Sequence, residues 1–201
     1  LDADNDGDED LVVANGHIND NVETFRDTVT FAQPNSLYAR VGPGKFEDVS
    51  AAAGSALEKV GVSRGLAVGD LDGDGGVDYV VVDNDGAVQV ARNTTESRGH
   101  WVSLWLEGTP SNRSAIGAVL TVKHGGKTQR REVRGASSYL SVSDRRLHLG
   151  LGTDTGLESV VVRWPDGQTE TVSLPAVDAH YHLVQGKAPV RYVPGAGQVP
   201  P

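Results

Sequence analysis

The sequence predicts an all-β chain, on three observations. Short runs rich in β-branched and aromatic residues recur, among them "LVVA" (Leu11–Ala14), "YVVVD" (Tyr79–Asp83) and "WVSLWLEG" (Trp101–Gly108), each bounded by turn residues. The 25 glycines and 9 prolines leave little helical periodicity. Two acidic loops of the same spacing, each running directly into a β-branched stretch, set a repeat of about 68 residues from Asp2 to Asp70. Small antiparallel sheets repeated in this way suggest the blades of a β-propeller.

The first element is the loop "DADNDGDED". Six carboxylates in nine residues would repel one another unless a cation sat among them. Counting from Asp2, side-chain oxygens fall at positions 1, 3 and 5 (Asp2, Asp4, Asp6), the turn glycine at 6 (Gly7), a backbone carbonyl at 7 (Asp8) and a carboxylate at 9 (Asp10). An all-oxygen set of this kind suits Ca²⁺ better than a transition metal. A solvated acidic turn is the alternative for one loop taken alone. The second loop, "DLDGDGGVD", repeats the pattern with Asp70, Asp72, Asp74, Gly75, the carbonyl of Gly76, and Asp78. An EF-hand would need a glutamate at position 12 and flanking helices, whereas Val13 and Val81 stand there and strands follow. The expectation is two Ca²⁺ sites inside β-hairpins.

Residues 1–97 contain the two blade repeats. "DLVVANG" is followed by an irregular polar insert (His17–Pro34), then "NSLYARVG" and "KFEDVSAAAG"; "SRGLAVGDLD" leads into the second loop, and "DYVVVDNDGAVQVARN" forms a hairpin about Asn84-Asp85-Gly86. Residues 98–186 change character. "HWVSLWLEG", "AVLTVKHGGKTQRREVRG", "SYLSVSDRRLHLGLG", "LESVVVRWPDGQTETV" and "HYHLVQG" are strand-length segments broken by Gly-Gly, Ser-Asp and Pro-Asp-Gly turns, a separate β-sandwich-like domain. Residues 187–201 are rich in Pro and Gly and read as an extended, mobile tail.

Charge divides the chain at the same place. Residues 1–97 carry 6 basic and 19 acidic side chains and residues 98–201 carry 12 and 8, so a net −13 faces a net +4. Ten of the 27 acids sit in the two loops; without them the net charge of −9 would be +1, so the acidity reports metal sites and not a disordered tail. The absence of Cys excludes a disulfide framework and thiolate metal sites. Calcium loops of modest affinity fill where the ion is about millimolar, which points outside the cytoplasm. There is no signal peptide or membrane-length apolar stretch. There is no Met, and the chain opens inside a metal loop, which predicts a piece of a longer precursor.

The loops followed by "LVVANG" and "YVVVDN", together with "RGLAVGDLDGDGG", resemble the FG-GAP/VCBS repeats of integrin-like β-propellers. "SNRSAIGAVLTVKHGGKTQRREVRGASSYLSVSDRRLHLGLG" with "ESVVVRWPDG" resembles the ASPIC/UnbV domain at the C-terminus of cartilage-acidic-protein-like secreted proteins. The resemblance covers roughly residues 1–186 and implies a larger propeller of which about two blades are present, with adhesion or complex assembly as its role. The first loop departs from the family pattern at position 8, where Glu9 stands in place of an apolar residue.

Other candidates carry less. His180 and His182 form an H-x-H pair that could grip zinc but lack a third ligand. His17, His100, His124 and His148 have no triad-like context. Trp101 and Trp105 flank Ser103 on one side of a strand; packing against the last blade is preferred to a sugar-stacking platform. Arg130, Arg131, Arg134, Arg145 and Arg146 read as a solvated face or a protein-docking patch, with no nucleic-acid motif. Asn93-Thr94-Thr95 and Asn112-Arg113-Ser114 fit the glycosylation sequon. No phosphate loop, nucleophile elbow or paired acid/base carboxylates are found. The reading is a non-catalytic, extracytoplasmic, calcium-binding scaffold or adhesion module whose partner is a protein, further blades of a longer chain, or a larger assembly. The alternative is a lyase-like polysaccharide-processing enzyme or glycan-binding module, in which catalytic residues would lie in other blades.

Overall fold

The computed structural model describes residues 1–195. The blade half holds β1 (Leu11–Val13), β2 (Gln33–Pro34), β3 (Ser36–Gly42), β4 (Lys45–Asp48), β5 (Val60–Gly61), β6 (Ser63–Gly69), β7 (Asp78–Asp83) and β8 (Gln89–Ala91). Its two antiparallel sheets, ordered β1-β3-β4 and β6-β7-β8, are the two blades, and β2-β5 is a short ribbon between them. Each acidic loop immediately precedes a strand, β1 in one blade and β7 in the other.

Alternation decides which side of the second blade is covered. Leu66 pairs with Val81 and Val68 with Tyr79, putting Leu66 and Val81 on one face, and both are buried. The opposite phase holds Val82 and Val90, which are exposed, with Val88 and Leu71 exposed nearby. In the first blade Leu11 and Val13 are also exposed; they share one face of β1, an edge strand paired only with β3.

The second half holds β9 (His100–Glu107), β10 (Val119–His124), β11 (Lys127–Glu132), β12 (Leu147–Gly152), β13 (Ser159–Arg163), β14 (Thr169–Val172), β15 (Ala179–Val184) and β16 (Val190–Tyr192). Its sheets run β11-β10-β13-β14 and β12-β9-β15-β16, with β9 and β15 parallel and the other pairs antiparallel. Val102, Leu104 and Leu106 of β9, Leu147, Leu149 and Leu151 of β12, and Tyr181 and Leu183 of β15 meet Leu120, Val122, Val160 and Val162 of the other sheet. Trp164 completes this core with no exposed surface. Trp164→Ala should therefore destabilise the chain by about 3–5 kcal/mol, read by denaturant melts; a loss below about 1 kcal/mol would show that the core is not packed around this ring.

The Pro/Gly-rich tail expected from residue 187 is partly ordered, because Val190–Tyr192 pairs with His180–His182. That strand was illegible because three residues after a proline gain their ladder only from a partner already in place. Residues 196–201, the remainder of that expectation, lie outside the described residues.

Alternation on the second sheet leaves a distinctive outer face. With the even residues of β9 in the core, Trp101, Ser103 and Trp105 point outward; His148 and Gly150 of β12 and His180 and His182 of β15 do the same. Register sets His148 and His180 on either side of Ser103. This face is not solvent-facing: the two acidic loops lie on it.

Candidate metal centres at the blade–sandwich junction

Both loops fold by the same set of backbone bonds. The position-1 carboxylate accepts from the N–H of the position-6 glycine at 3.0 Å, Asp2 from Gly7 and Asp70 from Gly75. The position-3 carboxylate accepts from the position-5 N–H at 3.2 Å (Asp4 from Asp6, Asp72 from Asp74), and position 5 accepts from position 7 at 2.7 Å (Asp6 from Asp8, Asp74 from Gly76). The position-9 carboxylate closes each loop, Asp10 accepting from Ala3 and Asp78 from Leu71, both at 2.8 Å. The glycine at position 6 has a positive φ in each, +93° and +84°, a conformation open to Gly at little cost.

These bonds gather Asp2, Asp4 and Asp10 in one loop and Asp70, Asp72 and Asp78 in the other, each trio with ligand oxygens within 4.8 Å of one another, a spacing that could hold a metal ion. Asp6 and Asp74 lie outside these trios. Asp74 instead turns one oxygen to Arg92 at 3.1 Å and Arg98 at 3.2 Å. Asp8 pairs with Arg40 at 3.3 Å. The Gly76 N–H is held by Asp74, and a Cβ there would strike Arg98.

Four of the six gathered carboxylates are buried: Asp2, Asp10, Asp70 and Asp78 are 3%, 8%, 5% and 1% exposed. Buried charge is costly without a counter-charge, and the two loops meet this differently. Burial, with Asp6, Asp4 and Asp10 nearby, pushes the Asp2 carboxyl up to about 7 despite the Gly7 amide, and its Oδ1 has no hydrogen-bond partner. Burial raises Asp78 likewise. At Asp70 burial also acts upward, but His180 and the N–H groups of Gly75 and Gly73 together outweigh it, leaving the carboxyl below its ordinary value.

The sandwich sheet supplies the floor of both loops. His180 Nε2 lies 3.3 Å from Asp70 Oδ2. Trp101 packs against Gly75, stacks on His148 at a centroid distance of 5.6 Å and meets His180 in a tilted contact at 4.7 Å. Gly150 lies directly under Asp2 and Asn5, where a Cβ would come within 2.2 Å of the Asp2 carboxylate. Asn5, at position 4 of the first loop and in the left-handed region (φ 60°), is fully buried at the centre of this contact. Its side-chain N–H donates to the Gly75 carbonyl at 3.0 Å, and its Oδ1 lies 2.8 Å from His148 Nε2. The N–H of Gly152 donates to the Asn5 carbonyl and that of Gly99 to Asp4, both at 2.7 Å. Burial holds the His148 imidazole down, to about 4.

Several sequence expectations change here. His180 and His182 do not share a ligand; His180 turns to Asp70, while His182 lies 3.0 Å from Glu107. Trp101 packs against the second loop, as expected of a residue facing the last blade, and Arg145 lies 5.1 Å over the Trp105 ring. Two of the five arginines read as a solvated or docking face are internal: Arg131 bonds Glu9 at 3.1 Å, and Arg146 reaches Asp144 and the Asp70 carbonyl. Asn93 of the first sequon donates to the Ala3 carbonyl at 2.7 Å. Sequence reasoning passed over Asn5, whose one available signal is an asparagine placed where αL backbone is tolerated.

An FG-GAP-like repeat family matches residues 2–81, and the ASPIC and UnbV family matches residues 108–190. Cartilage acidic protein 1 of Mus musculus and of Homo sapiens are each 36% identical over 120 residues, 57% of this chain and 18% of theirs. Cartilage acidic protein 1 of Xenopus tropicalis is 31% identical over 163 residues, 76% of this chain and 25% of its own. The chain thus spans about a fifth to a quarter of the length of these curated relatives. It belongs with the proteins that join an FG-GAP-like repeat to an ASPIC and UnbV domain, and it is homologous to cartilage acidic protein 1.

Proposed function

We propose that the chain is a non-catalytic, calcium-braced protein-interaction module that works outside the cytoplasm. The observation that carries this reading is the pair of carboxylate trios, Asp2, Asp4 and Asp10 and Asp70, Asp72 and Asp78, four of the six side chains buried and both trios built by the same bonds in two blades. All-oxygen donors and a flexible glycine-bearing loop suit Ca²⁺. Asp6 and Asp74 at position 5 and the carbonyls of Asp8 and Gly76 at position 7 complete the proposed sets. The ion would neutralise the carboxylates and so hold each loop against the sandwich sheet. The homology to a protein named for cartilage, where calcium is abundant, supports an extracellular setting.

The binding role rests on the exposed apolar side chains of the second blade, Leu71, Val82, Val88 and Val90. A patch of this kind marks an interface, here with another blade of a longer chain or a protein partner. A lyase-like activity would need uncommitted acid and base side chains, and 10 of the 19 acidic residues of residues 1–97 are taken up by the two loops. Incubation with uronic-acid polymers in calcium should give no rise in near-ultraviolet absorbance from unsaturated products; a rise lost on mutation of this chain would favour the enzyme. Isothermal titration of the chelator-stripped chain should register two Ca²⁺ ions, and zero would end the calcium reading.

A further inference from the structure

The proposed calcium sites are not two independent loops. Asn5 belongs to the first loop but spends its side-chain N–H on the carbonyl of Gly75, the turn glycine of the second, 70 residues away. Asn93, next to the second blade's last strand, donates back to Ala3 of the first loop at 2.7 Å, while its own N–H donates to Asp78 at 2.7 Å. The first loop therefore contributes a polar group to the second's frame, and Asn93, held on Asp78 of the second loop, contributes one to the first's. Both frames also rest on one rigid body: Asn5 and Asp2 on His148 and Gly150, Gly75 and Asp70 on Trp101 and His180. Asp2 Oδ1 and His180 Nδ1 are buried there without hydrogen-bond partners, so the contact region itself contains groups that call for a ligand or an ordered loop.

We infer that the two loops form a single coupled binding unit, in which filling one raises the affinity of the other through Asn5 and the shared sandwich sheet. This rests on the calcium reading above and adds cooperativity to it. The physical reason is reciprocal linkage. A loop ordered by its ion fixes Asn5 or Gly75, and the other loop then loses less freedom when it closes on its own ion. Asn5 is a positioning residue, at a loop position that offers no proposed ligand atom.

The test is a calcium titration of the full 201-residue chain after chelation, followed by calorimetry. The wild-type chain should bind two ions with a Hill coefficient well above one. Asn5→Gly, which keeps the left-handed backbone and deletes the amide, should still bind two ions but with a coefficient near one. A readout free of any folding effect of that variant comes from the exposed ligands: Asp4→Asn, weakening the first loop, should lower Ca²⁺ affinity at the second by at least about fivefold, and Asp72→Asn should lower it at the first by the same factor. Independent filling in the wild type, or single-ligand variants that leave the other loop's affinity unchanged, would overturn the coupling while leaving two calcium sites in place. Failure of the wild type to bind any ion would overturn the calcium reading itself.

Discussion

Withdrawal of calcium should lower the melting temperature of this chain by about 10–20 °C. A ligand bound only by the native state stabilises it by RT ln(1 + [L]/Kd), about 2.7 kcal/mol at a hundredfold excess, and two such sites give about 5 kcal/mol. For a chain of this length each kcal/mol moves the midpoint by about 2–4 °C. The loops favour such an effect, since Asp2 and Asp10 in one and Asp70 and Asp78 in the other are buried carboxylates gathered within 4.8 Å of one another. The first loop should be the more sensitive. Its Asp2 is pushed up to about 7 by burial and by the other loop acids, whereas Asp70 is relieved by His180. Asp2→Ala and Asp70→Ala should each remove at least about half of the calcium-dependent part, with the larger loss at Asp2. Calorimetric scans in millimolar calcium and in excess chelator measure it, and identical midpoints would contradict a bracing role.

The second large effect is expected at Gly75. Its φ of +84° already disfavours a side chain, and a Cβ would lie 2.0 Å from the Trp101 indole. Trp101 is buried between two histidines, stacked on His148 and tilted against His180, so it has little room to yield. Gly75→Ala should cost about 3–5 kcal/mol, combining about 1–2 kcal/mol of backbone strain with the overpacking of a closed contact. Gly126→Ala separates the two parts. Gly126 has a similar φ of +73° but open space around it, so its change should cost only the backbone share. Equal losses at the two glycines, from denaturant melts in calcium, would mean that the loop does not bear on Trp101.

Local chemistry was legible in the sequence and the junction was not. The position-1, -3 and -9 carboxylates could be paired by count because a calcium-type loop is a local object whose turn glycine and spacing are written side by side. The strands from Ala118 to Lys123 and from Val160 to Trp164 were legible for the same reason, their alternation being the pattern of a sheet with one face in a core. What no local pattern carries is which face of the sandwich meets the loops. Gly150 looks like a turn residue until Asp2, 148 positions earlier, is placed on it. His148 has no local context and His180 reads only as half of an H-x-H pair, because it is the antiparallel pairing of β9 with β12 and its parallel pairing with β15 that bring them to either side of Ser103. Spacing alone also does not show what else a position-5 residue touches: Asp74 fits the loop pattern, and its carboxylate pairs with Arg92 and Arg98 as well.

The central claim is that the loops, when they hold their ions, clamp the blades to the sandwich sheet. Amide hydrogen exchange tests it most directly, at two N–H groups that join the sandwich half to the first loop, Gly152 to Asn5 and Gly99 to Asp4. The expected result is strong protection at both in millimolar calcium and its loss in chelator, while Leu104 and Leu149 in the sandwich core stay protected throughout. Equal protection of Gly152 and Gly99 in the two conditions would contradict it.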